Sequence, residues 1–144
     1  MDKVYEKSLE LVTRVFSGKK DKGGFPYLDH LLTVSQKGHN KDEKLVGLLH
    51  DILEDTNTNI EELKEIGCTK KVIDAVKVLT KKKGETYIEY IDRIKNSSNS
   101  LAISVKLNDL EHNMDLGRIA IPTEEDYERI KKYENAYKKL SGGR

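Results

Sequence analysis

Apolar residues recur along the chain at intervals of three and four positions, which is the period of an amphipathic α-helix. In the first such segment they are Val4, Leu11, Val12 and Val15, and the same spacing returns in several later segments as far as Tyr137. No segment alternates between apolar and polar residues in the way expected of a half-buried strand. The pattern therefore predicts an all-α domain of about seven or eight helices.

The most apolar segment is residues 45–53, in which apolar side chains cover nearly every side of the predicted helix. Four ionisable residues occur at its end: His50, Asp51, Glu54 and Asp55. Burial of such groups is costly unless they are paired or bind a metal. On one continuous helix, Asp51 and Asp55 would share a face, and His50 and Glu54 would share a neighbouring one. One face would then suit a cation and the other a water molecule.

Helix starts carry a recognisable signature, a hydroxyl residue followed three positions later by an acidic residue. It occurs at Thr58 and Glu61, at Thr86 and Glu89, and at Thr123 and Asp126. We also expect Thr69 to cap a helix and Pro26 to open the second helix. No linker or repeat divides the chain, so we expect one domain over residues 1–140 and a flexible tail over 141–144.

Net charge, the length of apolar runs and the number of cysteines exclude several classes of protein. The 26 basic and 25 acidic residues leave a net charge of +1, which argues against a protein that binds nucleic acid or a membrane surface. No apolar run is long enough for a membrane span, and the charged N-terminus does not resemble a signal peptide, so we expect a cytoplasmic protein. The single Cys excludes an internal disulfide, and any metal site must use the four His and carboxylates.

A second candidate site lies far along the chain, where Asp109 interrupts the apolar face of a predicted inner helix. His50, the adjacent Asp51 and this distant carboxylate would provide mixed nitrogen and oxygen ligands. Such a set suits manganese or iron better than a structural zinc.

Three sequence blocks together resemble the HD-domain metal-dependent phosphohydrolases. The blocks are GFPYLDH at 24–30, LLHDILEDT at 48–56 and VKLNDLEHNMD at 105–115. They are most similar to the hydrolase domain of the bifunctional alarmone synthetase/hydrolases and to their small stand-alone relatives. Over about residues 7–119, the resemblance implies a single HD-domain helical bundle. It also implies hydrolysis of the 3′-pyrophosphate of guanosine tetra- and pentaphosphate with a divalent metal, preferably manganese, although iron, magnesium or another ion is compatible.

The resemblance also implies roles for individual residues. The family's metal ligands correspond to His50, Asp51 and Asp109. Glu54 and Asp55 correspond to the carboxylates that orient or deprotonate the attacking water. The substrate side corresponds to Lys22, in the loop after the first helix, and to Asn113. Independently of the resemblance, the positive charge of Lys20 in the same loop suits a pyrophosphate group.

Two departures from the family pattern affect the expected function. The family's metal-binding His in the first helix corresponds to Phe16, and an Arg that often precedes the loop Lys corresponds to Asp21. His30 could compensate as a ligand or lie beside the site without binding metal. Four possibilities therefore stay open: an alarmone hydrolase, a hydrolase of other phosphorylated nucleotides, a degenerate domain that binds a nucleotide without cleaving it, and a subunit whose lysine and tyrosine surfaces serve only protein contacts. A homo-oligomer is compatible with each.

Overall fold

The computed structural model describes residues 2–115, 117 and 119–142. Within these residues the chain forms helices and no strand. The helices are α1 (Lys3–Val15), α2 (Tyr27–Lys37), α3 (Lys41–Leu49), α4 (Ile52–Asp55), α5 (Ile60–Ile66), α6 (Lys70–Leu79), α7 (Tyr87–Asn96), α8 (Ser100–Asn113) and α9 (Glu124–Ser141). α4 is a single turn and the other eight are longer, so the predicted all-α helical bundle is confirmed.

Helix α3 lies at the centre of the bundle, where it packs against α1, α2, α6 and α8. Val46, Leu48 and Leu49 on this helix are completely buried. The apolar character of α3 on nearly every side follows from this central position, because a helix surrounded by others has no face that prefers water. The end of α3 is therefore the point at which side chains from several helices can meet.

Three of the four predicted threonine caps are confirmed: Thr69, Thr86 and Thr123. The fourth prediction, that Thr58 caps a helix, is wrong. Asn59 caps α5 instead, and its side-chain oxygen accepts a hydrogen bond from the amide of Glu62. The Thr58 hydroxyl is buried and hydrogen bonds to the hydroxyl of Thr56, so it is not available to the helix.

The prediction of one continuous helix through residues 45–53 is also wrong. α3 ends at Leu49, a turn holds His50 and Asp51, and α4 begins at Ile52. The His50 Nδ1–H donates to the carbonyl oxygen of Gly47 at 2.6 Å. In a continuous α-helix that oxygen would accept from the amide of Asp51, so the imidazole competes with the next helical hydrogen bond. The four ionisable residues consequently do not form the two helical faces expected from their spacing.

The C-terminal helix continues through Ser141, the first residue of the predicted tail. Gly142 follows it, and Gly143 and Arg144 lie outside the described residues. Among the helices that the structure describes, none has the length and apolar character needed to cross a membrane.

Candidate active site

A buried histidine and two carboxylates converge at the end of α3. The Nε2 atom of His50 lies 3.2 Å from Oδ2 of Asp51 and 3.3 Å from Oδ1 of Asp109, a residue of α8. His50 is 3% exposed, and its Nε2 forms no hydrogen bond with any described residue. Because Nδ1 donates its hydrogen to Gly47, Nε2 is the ring atom that faces these carboxylates. Burial alone would lower the pKa of His50, but the charges of Asp51 and Asp109 hold it well above its usual value, so without a metal the ring is an imidazolium. A divalent cation that displaced the Nε2 proton would have one nitrogen and two carboxylate groups as donors.

The carboxylate of Asp109 is held on both oxygens. Oδ2 accepts a hydrogen bond from Nζ of the buried Lys106 at 2.8 Å. Oδ1 accepts from Nε2 of His30 at 2.8 Å and from Nδ2 of Asn113 at 3.1 Å. Burial alone would raise the pKa of Asp109, but the charges of Lys106 and His50 and these hydrogen bonds hold that pKa well below its usual range. Asp109 is therefore an anion in the core of the bundle.

A second histidine, His30 of α2, completes the buried cluster. It is 2% exposed, and its Nδ1 lies 2.7 Å from Nδ1 of His112, with the two rings stacked 4.9 Å apart. His30, His50 and Asp51 each offer one ligand atom, and these atoms lie within 4.8 Å of one another. The sequence left His30 open as a ligand or a neighbour, and the structure places its Nε2 2.8 Å from Oδ1 of Asp109 and its ring 5.7 Å from the ring of His50.

An aromatic pair closes the side of the cluster that faces α1. Phe16, which caps the C-terminus of α1, is 2% exposed and stacks on Tyr27 with ring centroids 5.4 Å apart. The Tyr27 hydroxyl donates to Oδ2 of Asp51. Burial and the Asp51 carboxylate raise the pKa of Tyr27 far above its usual value, so the phenol remains a donor. The residue that aligns with the family's first-helix His is thus an apolar ring packed against a tyrosine.

The loop between α1 and α2 uses Asp21 for its own structure. Oδ1 of Asp21 accepts hydrogen bonds from the amides of Gly23 and Phe25, at 2.9 and 3.0 Å. Gly24 between them has a φ of +86°, which glycine adopts without strain. The carboxylate that stands where the family often has an Arg therefore accepts hydrogen bonds from the loop amides.

All three predicted substrate-binding residues line one cleft of about 350 Å³ beside this loop. The lining includes Lys20, Lys22, Tyr27, Asn113, Arg129 and Tyr133. Tyr27 and Asn113 connect the cleft to the buried cluster, because they hydrogen bond to Asp51 and Asp109. Arg129 and Tyr133 come from α9, which lies outside the span of the resemblance.

Glu54 and Asp55 line a second cleft, of about 540 Å³, together with Arg14 and Lys19. Oε1 of Glu54 accepts from the amide of Lys81 at 2.9 Å, and Nζ of Lys19 donates to the carbonyl oxygen of Asp55 at 2.6 Å. Partial desolvation, followed by the nearby charges of Asp51 and Glu54, raises the pKa of Asp55 to about 6. The two predicted catalytic carboxylates therefore line this second cleft and not the cleft that contains Lys20, Lys22 and Asn113.

Sequence reasoning missed two residues that hold the cluster, Tyr27 and Lys106, and it left His112 open between lining the site and packing the helix. Tyr27 lies inside the GFPYLDH block, and the other two lie inside VKLNDLEHNMD. The one sequence feature that could have assigned them to the site is their position within the blocks that carry the family resemblance. Neither composition nor helical period distinguishes them from ordinary packing residues.

Comparisons with known proteins agree with this arrangement. The chain matches no family model. It is 29% identical over 123 residues to a GTP pyrophosphokinase of Streptomyces coelicolor, and 38% identical over 64 residues to a guanosine-3′,5′-bis(diphosphate) 3′-pyrophosphohydrolase of Aquifex aeolicus. These alignments cover 76% and 42% of the chain but only 14% and 9% of the relatives, so the chain spans a small part of their length.

Among solved structures, the fold matches a metazoan orthologue of SpoT that hydrolyses ppGpp, with a TM-score of 0.79 and 21% sequence identity. The match covers 99% of this chain and 88% of that protein. The resemblance to the alarmone hydrolases is confirmed. It holds for the fold over nearly the whole chain and for the sequence over part of it.

Proposed function

We propose that this chain is a metal-dependent phosphohydrolase that removes the 3′-pyrophosphate from guanosine tetra- and pentaphosphate. The observation that carries the proposal is the buried Nε2 of His50, which lies 3.2 Å from Asp51 and 3.3 Å from Asp109 and has no hydrogen-bond partner of good geometry in the part of the chain that the structure describes. This donor set occurs in the fold of a protein that hydrolyses ppGpp. The same substrate class appears in the name of the Aquifex aeolicus relative.

The proposed ligands of the metal are His50, Asp51 and Asp109, and manganese is the proposed ion because the set mixes imidazole nitrogen with carboxylate oxygen. When bound, a divalent ion supplies a water of lowered pKa and neutralises charge on the phosphate. Lys106 keeps Asp109 ionised and oriented, because it donates to Oδ2 and leaves Oδ1 facing His50. Tyr27 restrains Asp51 differently, because it donates to Oδ2, the oxygen that itself faces His50.

The proposed substrate site is the cleft beside the loop. The lining carries three basic residues, Lys20, Lys22 and Arg129, against two acidic ones, and this excess of positive charge suits the phosphate groups of the nucleotide. The ring of Tyr133 offers an aromatic surface for the guanine base. Asn113 lines the cleft while it donates to Asp109, and so it would align the substrate with the metal cluster.

The two carboxylates of α4 have different environments, which suggests different roles. Asp55 has a pKa of about 6 and therefore suits a general base near neutral pH. Glu54 is fixed by the amide of Lys81, so its carboxylate suits the orientation of a water or of Asp55. Lys19 restrains Asp55 through its carbonyl oxygen.

The test is an assay of purified protein with manganese and guanosine tetraphosphate, read by anion-exchange chromatography. We expect formation of GDP and pyrophosphate, a loss of at least about 100-fold in kcat for Asp51→Asn and Asp109→Asn, and wild-type activity for the exposed control Asp29→Asn. Unchanged nucleotide in the presence of bound metal would contradict the proposal. So would full activity in either cluster variant.

A second candidate function, nucleotide binding without hydrolysis, is favoured by one observation. Phe16 stands where the family has a metal ligand, and its ring cannot coordinate an ion. In that case, calorimetry would detect binding of guanosine tetraphosphate to the cleft, Lys22→Ala would weaken it, and no product would form with any divalent metal.

A further inference from the structure

We propose that the groove between α7 and α9 binds a small amphiphilic anion, a fatty carboxylate whose chain lies along the groove and whose head group contacts lysine. The groove has a volume of about 600 Å³. Its lining includes Tyr87, Ile88, Ile91, Lys131, Lys132 and Ala136. It shares no lining residue with the two clefts of the candidate active site. The site therefore does not depend on the proposed hydrolysis.

The floor of the groove is apolar. Ile91 and Ala136 are almost completely buried there, whereas Ile88 leaves 69% of its surface exposed. Small-molecule sites in proteins have volumes of about 300–1,000 Å³ and mostly apolar linings with a few polar groups. A hydrocarbon chain on this floor would remove Ile88 from water, which is favourable in proportion to the apolar area that it covers.

The rim of the groove carries a net positive charge. Lys139 forms an ion pair with Asp92. Lys131 and Lys132 form no ion pair within the part of the chain that the structure describes, and Glu128 contributes a negative charge to the lining. These groups leave one positive charge, which matches a carboxylate better than a doubly charged phosphate.

Lys132 is placed to receive the carboxylate. Its ammonium lies 4.4 Å from the centre of the Tyr87 ring and 5.8 Å from that of the Tyr133 ring. Partial desolvation, followed by the positive charges of Lys22 and Arg129, lowers the pKa of Lys132. A bound carboxylate would supply the opposite charge that these neighbours do not provide, so it would stabilise the ammonium.

The shape of the groove suits an extended chain. α7 and α9 pack against each other, and the lining residues of α9 run from Glu128 to Lys139, about 16 Å along the helix. An α-helix of that length is at least about 10 Å in diameter and occupies about 1,300 Å³, which is more than twice the volume of the groove. A hydrocarbon chain is narrow enough to lie inside it.

The test is a titration of ¹⁵N-labelled protein with decanoate, followed by ¹H–¹⁵N nuclear magnetic resonance. We expect saturable shifts at the amides of residues 87–91 and 128–139. Decyltrimethylammonium, which has the same chain and the opposite charge, should bind at least about tenfold more weakly, because it would be repelled by the lysines. Equal affinities for the two probes would overturn the proposal. So would decanoate shifts confined to other residues, or an absence of saturable shifts.

Two pairs of variants separate the groove from the rest of the surface. Ile88→Glu puts an acidic group on the floor and should weaken decanoate binding at least about tenfold. Ile121→Glu, at a residue that is 83% exposed and outside the lining, should change it by less than about twofold. Lys132→Gln should weaken binding at least about threefold, whereas Lys70→Gln, on the exposed surface of α6, should not. Equal affinities within either pair would overturn the proposal.

Other occupants of the groove would give different results in the same spectra. A designed acidic amphipathic peptide that shifts these amides where decanoate does not would assign the groove to a partner protein and overturn the proposal. Shifts that grow with protein concentration alone would assign it to a second copy of this chain and would also overturn it. Each measurement uses metal-free protein without nucleotide, so failure of the proposed hydrolysis leaves this test intact.

Discussion

The ring of Phe16 stacks on the ring of Tyr27 with centroids 5.4 Å apart, and the hydroxyl of that same Tyr27 donates to the carboxylate of Asp51. The apolar ring of Phe16 therefore supports a polar contact to Asp51, one of the proposed metal ligands. The buried cluster around Asp51 is organised by contacts from α2 and α8.

Removal of the Tyr27 hydroxyl should loosen the cluster. Tyr27→Phe keeps the stacking with Phe16 but deprives Asp51 of its donor. We expect Mn²⁺ affinity to fall by about 10-fold or more, the effect of losing a hydrogen bond that orients a ligand. Tyr5→Phe is the control, because the Tyr5 hydroxyl bonds to Ser35 instead. Equal Mn²⁺ affinities for both variants in calorimetry would contradict this role for Tyr27.

Phe16→His should lower the stability of the metal-free protein and increase its stabilisation by Mn²⁺. The substitution replaces a buried aromatic ring with a polar one, so without metal we expect the free energy of unfolding to fall by about 1–3 kcal/mol. Added Mn²⁺ should recover part of this loss, because a ligand that binds only the native state stabilises it. Urea unfolding with a chelator and with Mn²⁺ measures both effects.

Phe25→His is the matched control for this exchange, since Phe25 is 49% exposed. It should change stability by less than about 0.5 kcal/mol in either condition. A Phe16→His protein as insensitive to Mn²⁺ as the control would show that the position does not face the cluster.

Lys106 should contribute to stability as well as to the site. Its ammonium is buried, donates to Asp109 at 2.8 Å and lies 5.0 Å from the centre of the Tyr90 ring. Lys106→Met leaves Asp109 as a buried charge with fewer partners, and we expect a loss of about 3 kcal/mol in the free energy of unfolding. Lys70→Met removes an exposed pair with Asp74 and should cost less than about 1 kcal/mol. Similar urea midpoints for Lys106→Met and Lys70→Met would contradict the expected difference in their free energies of unfolding.

A pH dependence of stability should arise at Glu85, away from the site. Arg93 binds both of its carboxylate oxygens, at 2.7 and 3.1 Å, and that hydrogen bonding lowers the pKa of Glu85 from 4.5 to about 2. A pKa depressed by folding stabilises the protein above the unfolded value. The contribution is therefore complete above about pH 4.5 and is lost as the pH falls toward about 2.

Glu85→Gln should lower the free energy of unfolding at neutral pH by about 1–2 kcal/mol, because a charged hydrogen bond becomes a neutral one. The difference from wild type should shrink to near zero close to pH 2. Glu61→Gln, at an exposed residue, should show little difference at either pH. A constant difference for Glu85→Gln across the pH series would contradict the assigned cause.

Local signals predicted the helices well because caps and period act over a few residues. Thr86 and Glu89 form the reciprocal hydrogen bonds that their spacing indicates. The break in the helix at His50 was not predictable in this way. It depends on whether the carbonyl oxygen of Gly47 accepts its hydrogen bond from the His50 ring or from the amide of Asp51. The same limit explains Thr58, whose hydroxyl bonds to Thr56 in place of the helix.

Ionisable residues in apolar segments predicted the core of the candidate site, His50, Asp51 and Asp109, but the contacts around it were not predictable from such local patterns. His50 and Asp51 are neighbours in sequence, but the contacts that organise them span the chain. Tyr27 reaches Asp51 across 24 residues, and His30 reaches His112 across 82. No periodic pattern encodes such pairs, because they depend on how α2 and α8 pack against α3.

The measurement that tests the central claim most directly is ³¹P nuclear magnetic resonance of guanosine tetraphosphate incubated with the manganese-free protein, followed by addition of Mn²⁺ and quenching with a chelator. The account predicts that inorganic pyrophosphate and GDP appear only after the metal is added, and that Asp109→Asn yields neither. A spectrum in which the 3′-pyrophosphate resonances persist despite stoichiometric metal binding would contradict it.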